Sequence, residues 1–276
     1  MAMSKLDAQA IRASLGELAS RRLERFEVFA AIESTNSHLM RGDPPRPGAF
    51  RAALTDNQTA GRGRHGRSWQ SPAGTGLCLS VGYTFAVQPR NLPALTLAIG
   101  AGLIDALEAL GIDGIALKWP NDLVAQGGKL GGILTESQAL AGGSVHVVSG
   151  VGINVSLPGD FDLGAASERA QPVSDLAGLA DDPPRANAIA ACLVDGLCSV
   201  FVGYEAQGFD TYAGRWRERD WLRGRALSID TPGQTVSGVG AGVADDGALL
   251  VAVEDGGVRR VTSGTVVLRD MGGARP

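Results

Sequence analysis

The chain has 276 residues, 44% of them hydrophobic and 20% charged, as in an ordinary soluble protein with one large domain, or one large and one small. Its net charge of −4 argues against a general nucleic-acid-binding protein, whose domain is usually basic. Three cysteines form no C-x-x-C pair and no ligand-spaced cluster with the three histidines, so we expect a reduced compartment and no structural zinc.

Neither secretion nor membrane insertion is expected from the sequence. The first residues contain no apolar core of signal-peptide length, and no run approaches 18 apolar residues. We therefore predict a cytoplasmic protein with no membrane partner.

Hydrophobic spacing predicts an amphipathic helix over residues 6–23 and a strand from Phe26 to Ile32. The strand is followed by Ser34-Thr35-Asn36, a cluster suited to capping a short helix. The later elements are predicted, in order, as a loop at 41–50, a half-buried strand at 77–85, a helix at 92–110, strands at 115–119, 130–136 and 145–155, a loop at 158–184 and a helix that begins behind Pro183-Pro184.

Glycines give two of these elements an additional meaning. Gly100 and Gly102 inside the helix predict close packing against a sheet. Gly150 and Gly152 share one face of the strand at 145–155, which predicts that a ligand or another element comes close to that backbone. After residue 222, short strands separated by Gly- and Asp-rich turns predict a small barrel.

A loop rich in glycine and arginine is the most informative stretch of the chain. Its sequence is Gly61-Arg62-Gly63-Arg64-His65-Gly66-Arg67, and no Asp or Glu occurs between Asn57 and Ile104. Glycine costs backbone entropy to fix, so such a loop has little order of its own. Guanidinium groups bind phosphate or carboxylate oxygens through paired hydrogen bonds. The loop is therefore predicted to fold over an anionic ligand, although taken alone it is equally typical of a flexible solvated loop.

Three further polar clusters lie where elements begin or end: Ser34-Thr35-Asn36, Lys118-Trp119-Pro120-Asn121-Asp122 and Lys129-Leu130-Gly131-Gly132. Each alone is common as a helix cap, a turn or a solvated lysine. The glycines around Lys129 are more suggestive, because they clear space around its ammonium group. Trp69 is expected to pack in the core or to border a pocket.

Taken together, the motifs resemble those of the biotin protein ligases: S-T-N, G-R-G-R-x-G-R-x-W, K-W-P-N-D, G-K-L-G-G-I-L and G-V-G-I-N-V. The resemblance is strong from Ser34 to Asn154 and weaker through the terminal strands. It implies an α+β fold, with a mixed β-sheet catalytic domain flanked by helices, related to class II aminoacyl-tRNA synthetases, and a small C-terminal SH3-like β-barrel. The implied domains are residues 1–221, which would bind biotin and ATP, and residues 222–276.

The resemblance also implies roles for single residues. Positions around the ureido ring of biotin are matched by Ser34, Thr35, Asn36 and Gln58. The loop that closes on biotin and the adenylate is matched by Arg62, Gly63 and Arg64. Lys129, Arg64 and Asp122 are the expected catalytic residues, and the cations of residues 62–64 and 129 are expected to converge on the two anionic groups that react. The other residues expected to contact biotin or nucleotide are Gly61, Arg67, Trp69, Lys118, Asn121, Gly131, Gly132, Asn154 and Arg269.

The implied reaction consumes ATP with Mg²⁺, adenylates biotin to biotinyl-5′-AMP and transfers it to a lysine of a biotin carboxyl carrier protein domain. No metal-ligand cluster of the protein itself is predicted, and a homodimer is compatible with the resemblance. Only 33 residues precede Ser34, too few for a helix-turn-helix domain, so neither DNA binding nor repressor activity is expected. Two alternatives remain: a lipoate or octanoate ligase, and a nucleic-acid-binding regulatory module.

Overall fold

A mixed seven-stranded sheet forms the centre of the larger part of the protein. The computed structural model describes residues 5–159, 172–180 and 182–269. The strands are β1 Leu23–Phe29, β2 Phe50–Thr55, β3 Gly76–Phe85, β4 Ile115–Lys118, β5 Asp122–Ala125, β6 Gly128–Ala139 and β7 Val145–Asn154. Their spatial order is β1-β2-β3-β7-β6-β5-β4; β1 and β2 are parallel, and the other neighbouring pairs are antiparallel.

Helices cover both faces of this sheet. The described α-helices are α1 Ala8–Ala13, α2 Glu17–Arg22, α3 Thr35–Arg41, α4 Leu95–Glu108, α5 Ala186–Gln207 and α6 Asp210–Glu218. Val147 of β7 belongs to the main core with α4 and α5, whereas Val148 packs with Leu39 of α3 in a second, small cluster. Because successive strand residues point to opposite faces, α3 lies on the face opposite α4 and α5.

Close packing on both sides explains two features of the core. Strand β3 is buried at every position, so the predicted half-buried strand is wrong in its exposure. The predicted packing of the helix glycines against a sheet is confirmed at Gly100, where an added Cβ would stand 2.8 Å from the side chain of Leu117 on β4. It is wrong at Gly102, where an added Cβ would stand 2.2 Å from Val200 on helix α5.

Helix α5 is long and apolar enough to cross a membrane by length and composition alone, with a mean hydropathy of 1.7. Its most apolar window is 56% buried inside the protein, where α5 packs against α4 and β3. A core helix of a soluble protein gives the same combination of length, hydropathy and burial.

Several sequence-based boundaries are corrected by the structure. The helix predicted over 6–23 is two helices, because Gly16 is extended and its N–H binds the Asp195 carboxylate at 2.8 and 3.0 Å. Leu23 already belongs to β1. The elements that the pattern did not predict are short or polar, namely β2, β5 and α6. The predicted loop at 158–184 falls partly outside the described residues.

A smaller antiparallel sheet follows, with strands β8 Ala226–Thr231, β9 Gln234–Val243, β10 Leu249–Ala252, β11 Val258–Val261 and β12 Thr265–Leu268. Their spatial order is β11-β10-β9-β8-β12. The small sheet contacts the larger part close to the predicted site. The Trp119 indole N–H donates to the carbonyl of Gly247 at 2.9 Å, and a Cβ at Gly247 would stand 3.0 Å from Ala94. The domain boundary at residue 221 stays a prediction.

Candidate active site

A buried polar network begins at the first turn of α3. Ser34 caps this helix, its hydroxyl accepting from the Ser37 N–H at 3.3 Å. The Thr35 N–H donates to the Gln58 side-chain oxygen at 2.8 Å, and the Thr35 hydroxyl lies 3.2 Å from the same oxygen. The Ser80 hydroxyl lies 2.7 Å from Thr35 Oγ1 and 2.6 Å from Asn36 Oδ1. The predicted group of Ser34, Thr35, Asn36 and Gln58 is thus assembled at one place.

The arginine loop is a short hairpin held by its own backbone. Arg62 and Ser68 form an antiparallel bridge, Gly63 N donates to the carbonyl of Arg67 at 2.7 Å, and Trp69 N donates to the carbonyl of Gly61 at 2.9 Å. The tip turns through positive φ angles at His65 (56°) and Gly66 (74°). This turn is where glycine lowers the backbone cost.

The three arginines of the hairpin have different surroundings. Arg62 bonds Glu136 of β6 and the hydroxyl of Ser37. Arg64 is half-buried, and burial lowers the pKa of its guanidinium, an effect opposed by the Asp122 carboxylate and increased by Arg67. Arg67 donates to Thr265 of β12 at 2.6 Å. Arg64 thus interacts electrostatically with Asp122 of the first lysine motif, while the Arg62 side chain is bound to Glu136 and does not join the expected convergence.

Trp69, which follows the hairpin, lies on the glycine face of β6 and β7. A Cβ at Gly152 would stand 2.4 Å from its indole, and one at Gly132 would stand 3.5 Å from it and 3.6 Å from Lys129 Nζ. A Cβ at Gly150 would stand 2.1 Å from Asn36 Oδ1. The prediction that another element approaches this strand is therefore confirmed.

Cations gather around one carboxylate beside this indole. Lys129 Nζ lies 2.7 Å from Asp122 Oδ1 and 5.8 Å from the centre of the Trp69 ring. Lys118 is the cross-strand neighbour of Asp122. Burial lowers the pKa of Lys118; Asp122 opposes this shift, whereas Lys129 and Arg67 increase it. With Arg64, which also interacts electrostatically with Asp122, three cations lie around a single carboxylate, so the site carries an excess of positive charge suited to an anionic ligand.

Other expected contact residues have structural partners. The Asn121 side chain donates to the carbonyl of Ile133 at 2.9 Å, and that of Asn154 donates to the carbonyl of Ser174 at 3.0 Å. A Cβ at Gly131 would stand 2.7 Å from the carbonyl oxygen of Gly152, so this glycine serves strand packing. Arg269 is exposed just beyond β12, four residues after Thr265.

The residues present fit a magnesium ion that arrives with a nucleotide. No group of three or more His, Cys, Asp or Glu side chains that could hold a metal occurs among the described residues. Asp122 is nevertheless a carboxylate placed within the cation cluster. Mg²⁺ is commonly held by one or two carboxylates together with substrate phosphates and waters.

The sequence patterns missed three residues of this region: Ser80, Glu136 and Thr265. Ser80 lies at a buried position of a strand, Glu136 on a strand beyond the lysine motif, and Thr265 in the small sheet. Each meets the site only through the tertiary fold. The sequence offered one signal for these residues, a serine between apolar residues in a predicted strand, and this signal indicates Ser80.

Both the larger and the smaller part of the chain match known protein families. The model of the Biotin/lipoate A/B protein ligase family matches residues 28–154, and that of the Biotin protein ligase C terminal domain matches residues 224–269. The chain is 33% identical over 238 residues to the Biotin--[acetyl-CoA-carboxylase] ligase of Paracoccus denitrificans, covering 81% of this chain and 92% of the relative. It is 32% identical over 245 residues to the Bifunctional ligase/repressor BirA of Escherichia coli, covering 88% and 73%.

Solved structures show the same fold. The biotin protein ligase of Aquifex aeolicus in complex with biotin and ATP superposes with a TM-score of 0.71 at 23% identity, covering 89% of this chain and 99% of that one. The expected mixed sheet with flanking helices and a small C-terminal β domain is confirmed.

These findings define a ligase whose mixed, glycine-lined sheet carries a cationic site. The chain belongs to the biotin protein ligase family, as the identity and coverage of its relatives show.

Proposed function

We propose that the protein is a biotin–protein ligase that joins biotin to AMP at the expense of ATP and then transfers the biotin to a protein lysine. The observation that carries this function is the adjacency of two sites. A neutral polar network suited to a ureido ring lies on the same glycine-lined sheet as a cluster of three cations around Asp122, namely Lys118, Lys129 and Arg64. Relatives at 33% identity are named as biotin--[acetyl-CoA-carboxylase] ligases.

Adenylation requires two anions to meet. An oxygen of the biotin carboxylate attacks the α-phosphorus of ATP; the new P–O bond forms as the bond to pyrophosphate breaks. Two unit charges about 4 Å apart repel by roughly 4 kcal/mol at an effective dielectric near 20. Lys129 and Arg64 offset this repulsion and stabilise the charge that develops on the phosphoryl oxygens. Positioning and electrostatics are then sufficient, because phosphoryl transfer needs little covalent help from the protein.

Magnesium fits this scheme as a further positive charge on the phosphates, with Asp122 as its protein ligand. Asp122 is held ready by its ion pair with Lys129. The chain's own contribution is to orient this carboxylate and to supply the fixed cations around it.

Transfer is the second step. The neutral amine of the acceptor lysine attacks the activated carbonyl, a C–N bond forms, and the C–O bond to AMP breaks. The proton leaves to Asp122 or to the departing phosphate. In this scheme the arginine loop shields the mixed anhydride from water, with Arg64 held toward the cation cluster by its attraction to Asp122.

The acceptor proposed for this step is a biotin carboxyl carrier domain. Strand β6 runs from Gly128 to Ala139, while its pairing with β5 ends at Gly132. The remaining edge suits an added strand from the acceptor or from a second copy of the chain. Slower amide exchange at 135–139 on adding the carrier domain supports this surface, and unchanged exchange rejects it. Three free cysteines and the use of ATP support a cytoplasmic location.

The function is tested by ATP–pyrophosphate exchange with biotin, lipoate or octanoate as the acid. Biotin alone should support exchange. Labelled biotin should then appear on a carrier domain and be absent from a carrier whose acceptor lysine is replaced by arginine. Exchange with lipoate in place of biotin would reject the proposed substrate. Salt-dependent retention on DNA tests the nucleic-acid alternative, and we expect none at physiological ionic strength.

A further inference from the structure

Glu136 lies outside the cation cluster and bonds two parts of the site at once. Its Oε1 lies 2.7 Å from Arg62 Nη2, and its Oε2 lies 3.3 Å from Arg62 Nη1. The same Oε2 accepts from the Asn36 amide at 3.0 Å. Only 23% of the Glu136 side chain is exposed, so this two-point contact is partly shielded from solvent.

The contact fixes the base of the arginine loop. Arg62 is the first arginine of the hairpin, and its guanidinium is occupied by Glu136 and by the Ser37 hydroxyl at 3.0 Å. The other two arginines face Asp122 and Thr265 instead. Among the described residues, the ion pair with Glu136 is therefore the carboxylate contact that joins this hairpin to β6.

The contact also orients Asn36. The two hydrogens of its amide nitrogen go to the carbonyl of Leu134 and to Glu136, each at 3.0 Å. The amide oxygen must then point to Ser80, where it lies 2.6 Å from the hydroxyl. The Glu136 carboxylate thus holds Arg62 of the loop and also determines the orientation of the Asn36 amide in the polar network.

We infer that Glu136 is a positioning residue that keeps the arginine loop closed, so that the activated acyl adenylate stays on the enzyme until the acceptor arrives. This inference rests on the proposed function. Replacing the carboxylate by an amide keeps the shape but removes the charge that holds Arg62. Loop opening should then become easier, while Lys129, Arg64 and Asp122 keep their places.

The test compares Glu136→Gln with the wild type in three measurements: pyrophosphate release, dissociation of biotinyl-AMP, and labelling of bulk protein. We expect dissociation about fivefold to tenfold faster and a matching rise in bulk labelling, with pyrophosphate release changed less than twofold. The matched control is Glu24→Gln. Glu24 is also on a sheet strand, is 20% exposed and pairs with Arg46 at 2.5 Å, but it belongs to the edge strand β1. It should leave all three measurements unchanged.

A second variant separates positioning from folding. If Glu136→Gln loses its fold, Glu136→Asp takes its place: it keeps a carboxylate for Arg62 and Asn36, but its shorter side chain weakens the two-point contact, so biotinyl-AMP should dissociate faster than from the wild type. Dissociation of biotinyl-AMP at the wild-type rate from the folded variant would overturn the inference. If the wild type itself fails to exchange pyrophosphate with biotin, the proposed function fails instead.

Discussion

Lys129 and Asp122 form an ion pair of 2.7 Å between the neighbouring strands β6 and β5. Both side chains are partly shielded, with 29% and 18% of their surfaces exposed. The lysine of this pair lies over the Trp69 indole, 5.8 Å from the ring centre, with the carboxylate of Asp122 beside it. Two strands therefore fix the distance between the groups that would meet the biotin carboxylate and the nucleotide.

Lys129→Ala should lower the rate of adenylate formation at least tenfold, equivalent to about 1.4 kcal/mol. The loss has two parts: the cation disappears, and Asp122 is left with its negative charge beside two anionic substrates. Pre-steady-state pyrophosphate release measures it. Lys129→Arg, which keeps the charge, should retain more activity than alanine. Release at the wild-type rate in Lys129→Ala would remove this lysine from the mechanism.

Arg64→Gly should form adenylate more slowly but release it more readily. Arg64 is the arginine of the hairpin that is attracted by the Asp122 carboxylate, so its loss removes that attraction between the loop and the site. The measurement is biotin incorporated into bulk protein in the absence of a carrier. Arg41→Gly, which breaks an exposed ion pair with Glu33 at 3.1 Å, is the control. Equal bulk labelling by the two variants would contradict a shielding role for Arg64.

Gly152→Ala should weaken biotin binding about tenfold with little loss of stability. The added methyl would meet the Trp69 indole at 2.4 Å, and the indole must move away from the sheet. A change in tryptophan fluorescence and a higher dissociation constant by calorimetry are expected. Gly214→Ala on α6, where the added methyl meets open space, should bind biotin normally. Wild-type affinity in Gly152→Ala would show that the indole position is not part of the pocket.

The carboxyl group of Asp220, which lies shortly before the small sheet, should make the free energy of unfolding depend on pH. Its Oδ1 accepts from Leu222 N at 2.9 Å, but its Oδ2 is buried without a hydrogen-bond partner among the described residues. Burial raises the pKa of this carboxyl from 3.8 to about 6. The folded protein thus holds this proton more tightly than the unfolded chain does. The resulting stabilisation is complete below pH 3.8 and is lost as the pH rises through about 6.

Asp220→Asn should therefore be more stable than the wild type at pH 7.5, by at most about 3 kcal/mol for a shift of roughly two pKa units. The difference should shrink toward zero near pH 4, where the wild-type group is neutral in the folded state. Urea unfolding at the two pH values measures both free energies. If Asp220→Asn were less stable than the wild type at pH 7.5 and the difference did not change with pH, the negative charge of Asp220 would not be what destabilises the folded protein.

The motifs were readable from the chain because each one is local. Alternating hydrophobic residues predicted the strand that contains Gly150 and Gly152. The glycines on one face of this strand predicted a close neighbour, and Trp69 and Asn36 are the residues that lie there. Helix α4 was likewise predicted close to its observed bounds, and short strands were predicted after residue 222, since their hydrophobic periods and turn residues lie within single segments. The first helix failed because its break depends on Asp195, a partner 179 positions away.

The sequence by itself determined the identity of the site: arginines between glycines, the two lysine motifs and the capped turn of Ser34 are all legible as residue types in order. Only the tertiary structure decided which arginine faces which acid. It brought Arg64 to Asp122, Arg62 to Glu136 and Arg67 to Thr265, from strands that lie far apart in the chain. Charge partners are chosen by distance in space, and the register of β5 and β6 with the docking of the small sheet sets that distance.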